Sequence, residues 1–416
     1  MQARFAFSHL RLLAVVSLLT LGAVSGRLFA AEPGDPGQPN SDPFAWVHTP
    51  WAVRTFNVRC DLGQSLRYVL ILRARAGDRV RVHGSCNERI EITQDRLTLE
   101  GVEAGAIDGT GLDEGPPEFN PLVAIDGAQG VVLQNLTIRN SAAEGLIARN
   151  NASVTLRNVT ATANAGLGVL VDSARANIDN STVSGNGSGL DSVNNSSLLF
   201  TGATDLSRNG ALGLGASNGT AVELRGAQVD VSGNGGFGAV IEGAKFGIFN
   251  FGVSQGSSLK ADDNGLFGIV VTAGAAIDII APPPFYNSGV NVVSASGNGV
   301  TGMFVTGQSI IESPFGAATF RIENNPIGLR IDSNSSALIV GGMQISGNAD
   351  TGLLADGAGV VTIVSPESDP SLNPSSITGN GTDVSLSFGS RATFGAAVGS
   401  IVCDPTSLAR GSATCP

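Results

Sequence analysis

The feature that most constrains this chain is a corner signal that returns at near-regular intervals. Asparagines with a glycine close behind stand at Asn140, Asn164, Asn186, Asn209, Asn234, Asn264, Asn298, Asn324, Asn348 and Asn380, in steps of 22 to 34 residues. A period in the low twenties with occasional lengthening marks a solenoid, in which each repeat is one unit stacked on the last. Each asparagine is followed by a glycine and a short apolar run, as in GLIAR (145–149), GVLVD (168–172), GAVIE (238–242), GIVVT (268–272), GMFVT (302–306), GLRID (328–332) and GLLAD (352–356). A second run follows, as in SVTL (153–156) and ALIV (337–340), and a third leads back to the next asparagine, as in NVTATAN (158–164). Three short strands per repeat, with no helical period between them, exclude leucine-rich and ankyrin repeats. The Asn-Gly pair reads as a corner: both residues tolerate the left-handed conformation of a sharp turn, and Asn can also bond to its neighbours above and below.

This pattern resembles the right-handed parallel β-helix of the pectate-lyase-like superfamily, over roughly residues 80 to 400. The resemblance implies an all-β fold of three-strand coils with an asparagine ladder, and activity on acidic or neutral polysaccharides. The superfamily's catalytic motifs do not carry over. Of the polygalacturonase set, Asp262-Asp263 stands alone, and Arg321-Ile322 is followed by Glu323 rather than Lys. The AIDGTG run (106–111) resembles a scaffold segment of those hydrolases. The Asp-Pro-His-Asp motif of alginate epimerases is missing, and no block matches the arginine base and calcium-binding carboxylates of pectate lyases. The question of enzyme or binding protein therefore stays open at this point.

The rest of the chain fits an exported solenoid. With 56 Gly and 5% aromatic residues, the core must be narrow and built from small or branched side chains. Arg4 and Arg11 precede and punctuate an apolar run, Leu12 to Val24, too short to span a bilayer, with small residues after it. Residues 1–31 are thus expected to be a signal peptide, and no transmembrane segment follows. The expected organisation is an extension over 32–57, an N-terminal cap over 58–96, the β-helix over 97–402 and a closed tail over 403–416. DLGQSLRYVLILRARAGD (61–78) puts Leu66, Val69 and Leu70 on one face of a short capping helix ending near Gly77. Four cysteines in an exported chain favour disulfides; of the three pairings, Cys60 with Cys86 and Cys403 with Cys415 each close a short loop at one end. A secreted or periplasmic location follows from the same features.

Charge narrows the partners. Residues 54 to 96 hold nine Arg against five acids, a local +4, while the rest of the chain beyond the signal carries 12 basic against 30 acidic side chains, or −18. A nucleic-acid partner is excluded on that balance, because phosphate neutralisation needs clustered Lys and Arg. The histidines are His9, His48 and His83, so histidine chemistry is excluded from the shaft over 97–416.

Two surfaces remain for function. Coils stack at about 4.8 Å, which aligns Arg149, Asp172, Val193, Ser217, Glu242, Thr272, Thr306, Asp332 and Asp356 in one column. Asp332 and Asp356 become neighbouring carboxylates, with Arg330 beside them. Such a pair has the spacing of a retaining glycosidase and would also suit Ca²⁺; the competing reading is a solvated strand end. Arg149 beside Asp172 reads as a surface ion pair. The second surface is a ridge of insertions between second and third strands, bearing Phe246, Phe249 and Phe251, then Phe285 and Tyr286, then Phe315. Aromatic side chains there are expected to contact sugar rings or to fold back over the sheet. The function expected is binding or processing of a polysaccharide through that ridge. The alternative is a structural or adhesive protein that forms homo-oligomers through the outward apolar residues Ile147, Leu170, Val240, Val270, Phe304 and Leu354.

Overall fold

The computed structural model describes residues 53–112, 120–249, 256–280, 290–314, 318–364 and 374–416. Residues 1–31 and most of the expected extension lie outside that set. Strands dominate, and every pairing is parallel, between one coil and the next. The first strands of successive coils, from Ile90–Ile92 through Phe237–Glu242 to Ile401–Cys403, form one 13-stranded sheet. Second and third strands form a 26-stranded sheet around the rest of the coil.

Alternation within each strand sends one set of side chains inward. Val169, Leu190, Leu214, Ala239, Ile269, Met303, Leu329, Leu353 and Val384 follow one another in register, all buried. The core is a narrow column of mostly aliphatic residues, with Phe200, Phe246, Phe320 and Phe394 the large side chains buried in it.

The asparagine corner differs from expectation in two places. Asn164, Asn186, Asn209, Asn234, Asn264, Asn298, Asn325, Asn348 and Asn380 form the ladder, each Nδ2 donating to the next Oδ1 at 2.8–3.2 Å. Asn325, not Asn324, is the rung. Asn140 lies outside the ladder and donates to Asp108 instead, while the Ser141 amide donates to Asn164 Oδ1 at 3.0 Å. The left-handed residue is not the rung but the one before it: Ala163, Gly185, Arg208, Gly233, Asp263, Gly297, Asn324, Gly347 and Gly379 all have φ between 55° and 75°. Close stacking excludes a side chain after the rung at Gly187, Gly235, Gly265, Gly299 and Gly381, whereas Ala165, Pro326 and Ala349 follow the rungs Asn164, Asn325 and Asn348. A Cβ at Gly265 would lie 2.1 Å from the carbonyl oxygen of Gly235 in the coil before, and its own N–H donates to Asn234 O at 2.9 Å. The repeated signal is thus a left-handed residue and then the rung, followed in most coils by a glycine, which is usually pressed against the coil before.

Both ends are closed by disulfides, Cys60–Cys86 and Cys403–Cys415. A helix α1 (Leu66–Leu72) buries Leu66, Val69 and Leu70 against the first coils and ends before Gly77. Its N-terminus is satisfied twice: Ser65 Oγ accepts from Tyr68 N at 3.0 Å, and Glu88 accepts from Ser65 Oγ and Leu66 N. Pairing extends beyond the expected 97–402. Thr55–Arg59 pairs with Arg79–Cys86, which pairs with Thr98–Asp108, and Leu408–Gly411 still pairs with Arg391–Gly395. The cap and tail continue the sheets, because each retains inward residues such as Val58, Val80 and Ala409.

Candidate functional site

The outer face of the 13-stranded sheet gathers most of the unusual side chains. Three columns run along it, spaced by two residues or more on each strand. The first carries Leu212, Phe237 and Phe267 and then Thr301; the second carries Asp191, Gly215, Val240, Val270, Phe304, Arg330 and Leu354. The third is polar, with Ser217, Glu242 and Thr272 in register, and Asp332 and Asp356 further along.

Phe237 and Phe267 stack with centroids 5.6 Å apart and planes within 4°, and Phe267 stacks on Phe304 at 5.8 Å and 22°. The stack crosses from the first column to the second and ends under a cation: Arg330 Cζ lies 5.0 Å from the Phe304 centroid. Arg330 Nη2 reaches Asp332 Oδ2 at 3.2 Å. Asp332 Oδ1 and Arg330 Nε, both shielded from solvent, have no hydrogen-bond partner among the described residues, and such orphaned atoms call for an explanation.

Asp332 and Asp356 are brought side by side, since Ile331 pairs with Ala355 and both carboxylates follow one residue later. They are differently held: Asp356 Oδ1 accepts from Gly357 N at 2.7 Å and Ser387 Oγ at 3.2 Å, whereas Asp332 faces Arg330. The carboxyl on this face with an altered proton affinity is Asp191. Burial pushes its pKa up, the Ser192 amide at 2.9 Å opposes that, and the negative charge of Glu242 adds to the rise. It fits because its neighbour along the column is Gly215, where a Cβ would lie 2.3 Å from Asp191 Oδ1. Sequence reading passed over Asp191; the signal was an acid in SGLDSV where the flanking repeats place Leu170 and Gly215. It also passed over Phe237 and Phe267, which occupy matching positions in GGFGAV and GLFGIV.

The expected ion pair of Arg149 with Asp172 does not form. Arg149 Nε bonds Asp126 Oδ2 at 2.9 Å on its other side, and Asp172 Oδ1 accepts from Asn194 and Ser173. In the expected ridge, Phe246 points into the core at 1% exposure. Phe249 is half-buried and folds back over the sheet: a Cβ at Gly247 would lie 2.2 Å from its ring. Phe251, Phe285, Tyr286 and Phe315 lie outside the described residues. The strands that flank these insertions, such as Lys245–Phe249 and Ser258–Lys260, belong to the 26-stranded sheet, whereas Arg330, Asp332 and Asp356 belong to coils of the other. The two expected surfaces are therefore distinct.

Elsewhere, a polar depression of about 510 Å³ is lined by third-strand residues including Gln228, Asp230 and Lys260. Its charges are answered locally, Arg208 by Asp205 at 3.1 Å and Lys260 by Asp230 at 3.4 Å. Among the described residues, the one group of three side chains with metal-ligating geometry is Cys60, Cys86 and Glu88, and its sulfurs are joined in a disulfide. No helix among the described residues is long and apolar enough to cross a membrane.

Comparison with known proteins bears on the fold. No curated protein sequence matches the chain. Similar solved structures include the Dettilon tailspike protein (12% identity, 79% of this chain and 63% of that one, TM-score 0.40). They also include the A-module of the Azotobacter vinelandii mannuronan C-5 epimerase AlgE4 (12% identity, 86% and 91%, TM-score 0.37). A third is PfbA, a surface adhesin of Streptococcus pneumoniae (13% identity, 75% and 84%, TM-score 0.27). The chain thus spans less than two thirds of the tailspike, and these are likenesses of fold alone. Residues 122–300 match the family model described as "Right handed beta helix region". With its all-parallel, coil-to-coil pairing, the chain is a right-handed parallel β-helix protein.

Proposed function

We propose that this is an exported protein that binds a polysaccharide along the outer face of the 13-stranded sheet. The observation that carries the reading is the half-buried Phe237–Phe267–Phe304 stack lying beside a polar column on the same strands. A glycan presents apolar C–H surface and hydroxyls in alternation. An aromatic stripe bordered by Glu242, Thr272, Thr306, Asp332 and Arg330 offers a partner for each. The unpartnered Asp332 Oδ1 and Arg330 Nε supply an acceptor and a donor for a hydroxyl that displaces their packing.

The test is affinity electrophoresis of the purified protein through gels containing neutral, uronic or sulfated polysaccharides, with and without Ca²⁺. Retardation by one class, abolished by Phe267→Ala with Phe304→Ala and kept by Phe285→Ala with Tyr286→Ala, supports the sheet face. The opposite pattern moves the contact to the insertion ridge. Where a gel retards the protein, release of reducing ends is assayed on wild type, Asp332→Asn and Asp191→Asn, so that processing is separated from binding. A second reading rests on the same apolar stripe: Leu170, Val240, Val270 and Leu354 continue it on both sides of the stack. Concentration-dependent sedimentation with no retardation in any gel supports self-association through that face instead.

A further inference from the structure

The N-terminal cap concentrates two kinds of exposed side chain. Five of the thirteen large apolar side chains left exposed among the described residues lie here: Val53, Leu62, Tyr68, Ile71 and Leu72, at 56 to 69% exposure. Helix geometry accounts for three of them. With Leu66, Val69 and Leu70 turned into the first coils, Tyr68, Ile71 and Leu72 fall on the opposite, convex side of α1 together with Arg67. Exposed Arg73 and Arg75 follow directly.

These cations are not neutralised. Arg54 and Arg73 hold their guanidinium centres 5.2 and 5.3 Å from the Phe56 ring, but only Arg54 also meets a carboxylate, that of Asp78. Arg67, Arg73 and Arg75 have no ion pair with any carboxylate among the described residues. A depression of about 360 Å³ opens between Phe56, Ile71, Leu72, Arg73 and Arg75. Over residues 54 to 96 the charge is +4, against −18 for the rest of the chain from residue 32 on.

We infer that the cap is a docking surface for an anionic lipid surface, with Tyr68, Ile71 and Leu72 entering the headgroup layer and Arg67, Arg73 and Arg75 on the phosphates. Apolar side chains ringed by long cationic ones suit that boundary: the stems sit with the acyl chains and the charged tips in the headgroups. A flat partner would leave a convex helix face half uncovered, whereas headgroups close around it. The charge asymmetry also orients the molecule. The basic end is drawn to an anionic membrane and the acidic shaft is repelled from it, so the solenoid stands away from the surface with its sheet face free. This inference is independent of what that face binds.

Flotation of the purified full chain with mixed phosphatidylglycerol and phosphatidylcholine vesicles, against phosphatidylcholine alone, tests it. The protein floats with the anionic vesicles and not with the neutral ones. Ile71→Ser with Leu72→Ser, and separately Arg73→Glu with Arg75→Glu, each weaken partition by about tenfold or more. All four positions are exposed, so the denaturation midpoint stays unchanged and reports that the cap is still folded. Three results overturn the inference. One is no flotation at all. Another is flotation that persists in both variants, which places binding outside the cap, as in the Leu12–Val24 run. The third is capture of a soluble sulfated polysaccharide or of a second copy of the chain by the same side chains without flotation.

Discussion

The asparagine corner and the outer sheet face are built on the same coils, yet they obey different rules. At the corner each coil repeats the one before: a left-handed residue and a ladder asparagine, followed in most coils by a glycine. On the outer face the same strands carry Asp191, then Gly215, Val240, Val270, Phe304 and Arg330 at one position. The difference follows from what each place must satisfy. A corner amide that misses its partner leaves a buried polar group unpaired, and at glycines such as Gly265 a side chain has no room. An outward residue on a parallel strand needs only to tolerate its two neighbours, so that surface is free to carry binding chemistry.

The contrast is tested first at the glycine. Gly265→Ala forces a methyl to within 2.1 Å of Gly235 O, and backbone cannot swing aside as a side chain would. A loss of about 3 kcal/mol, the upper end of overpacking penalties, is expected from the shift in denaturant midpoint. A loss below about 1 kcal/mol would mean the coils can part at the corner, and the steric account of the repeat would fall.

Next comes the rung itself. Asn264→Ala removes the acceptor for both the backbone N–H and the Nδ2 of Asn234, at 2.9 and 3.2 Å, in a site that water does not reach. About 2 kcal/mol of destabilisation is expected. On the outer face, Phe267→Ala is expected to cost only about 1 kcal/mol, since the ring is half-exposed and loses two stacking partners. Its effect is instead expected on glycan retardation. If Phe267→Ala destabilised more than Asn264→Ala, the outer stack would be a structural element and the division between corner and face would be wrong.

The same division explains what could be read from the sequence. The solenoid, its three strands per coil, its inward columns and both disulfides were legible, because each is enforced in coil after coil or by composition. The corner chemistry was half legible. Asn-Gly was visible, but the left-handed residue before the rung varies between Ala, Gly, Arg, Asp and Asn, so no single letter announces it, and Asn324 and Asn325 could not be told apart. The site was legible only as a column. Register places Asp332 beside Asp356 and Phe304 beside Arg330, but the Phe267–Phe304 contact crosses columns, a diagonal that strand alignment does not display. Arg149 chose Asp126 over Asp172 because both flank it equally in the stack and only side-chain direction decides.

Two aspartates carry the contrast into pH dependence, where the expected effects are smallest. Asp383 terminates the ladder. Its burial disfavours charge, but Asn380 N and Nδ2 both donate to Oδ1 at 3.0 Å, and Ser400 N donates to Oδ2 at 2.7 Å. These bonds outweigh burial and hold its pKa below the usual aspartate range. The folded state then binds its proton less readily than the unfolded one, so its contribution is full above the ordinary aspartate value and is lost as pH falls through the depressed one. Asp191 on the outer face is the reverse case. Burial above all raises its pKa, so the folded state retains the proton longer, and stability falls as pH rises from the ordinary value through the raised one. Asp383→Asn should therefore lower the denaturation midpoint at about pH 7 and cost less at about pH 3, where protonation of the unfolded chain's carboxylate has begun to remove that contribution. Asp191→Asn should raise the midpoint at about pH 7 and leave it unchanged at about pH 3. A corner residue that stabilises by being ionised and a face residue that destabilises by being ionised would give pH profiles of opposite slope, and parallel slopes would show that the two aspartates do not differ in the way their surroundings require.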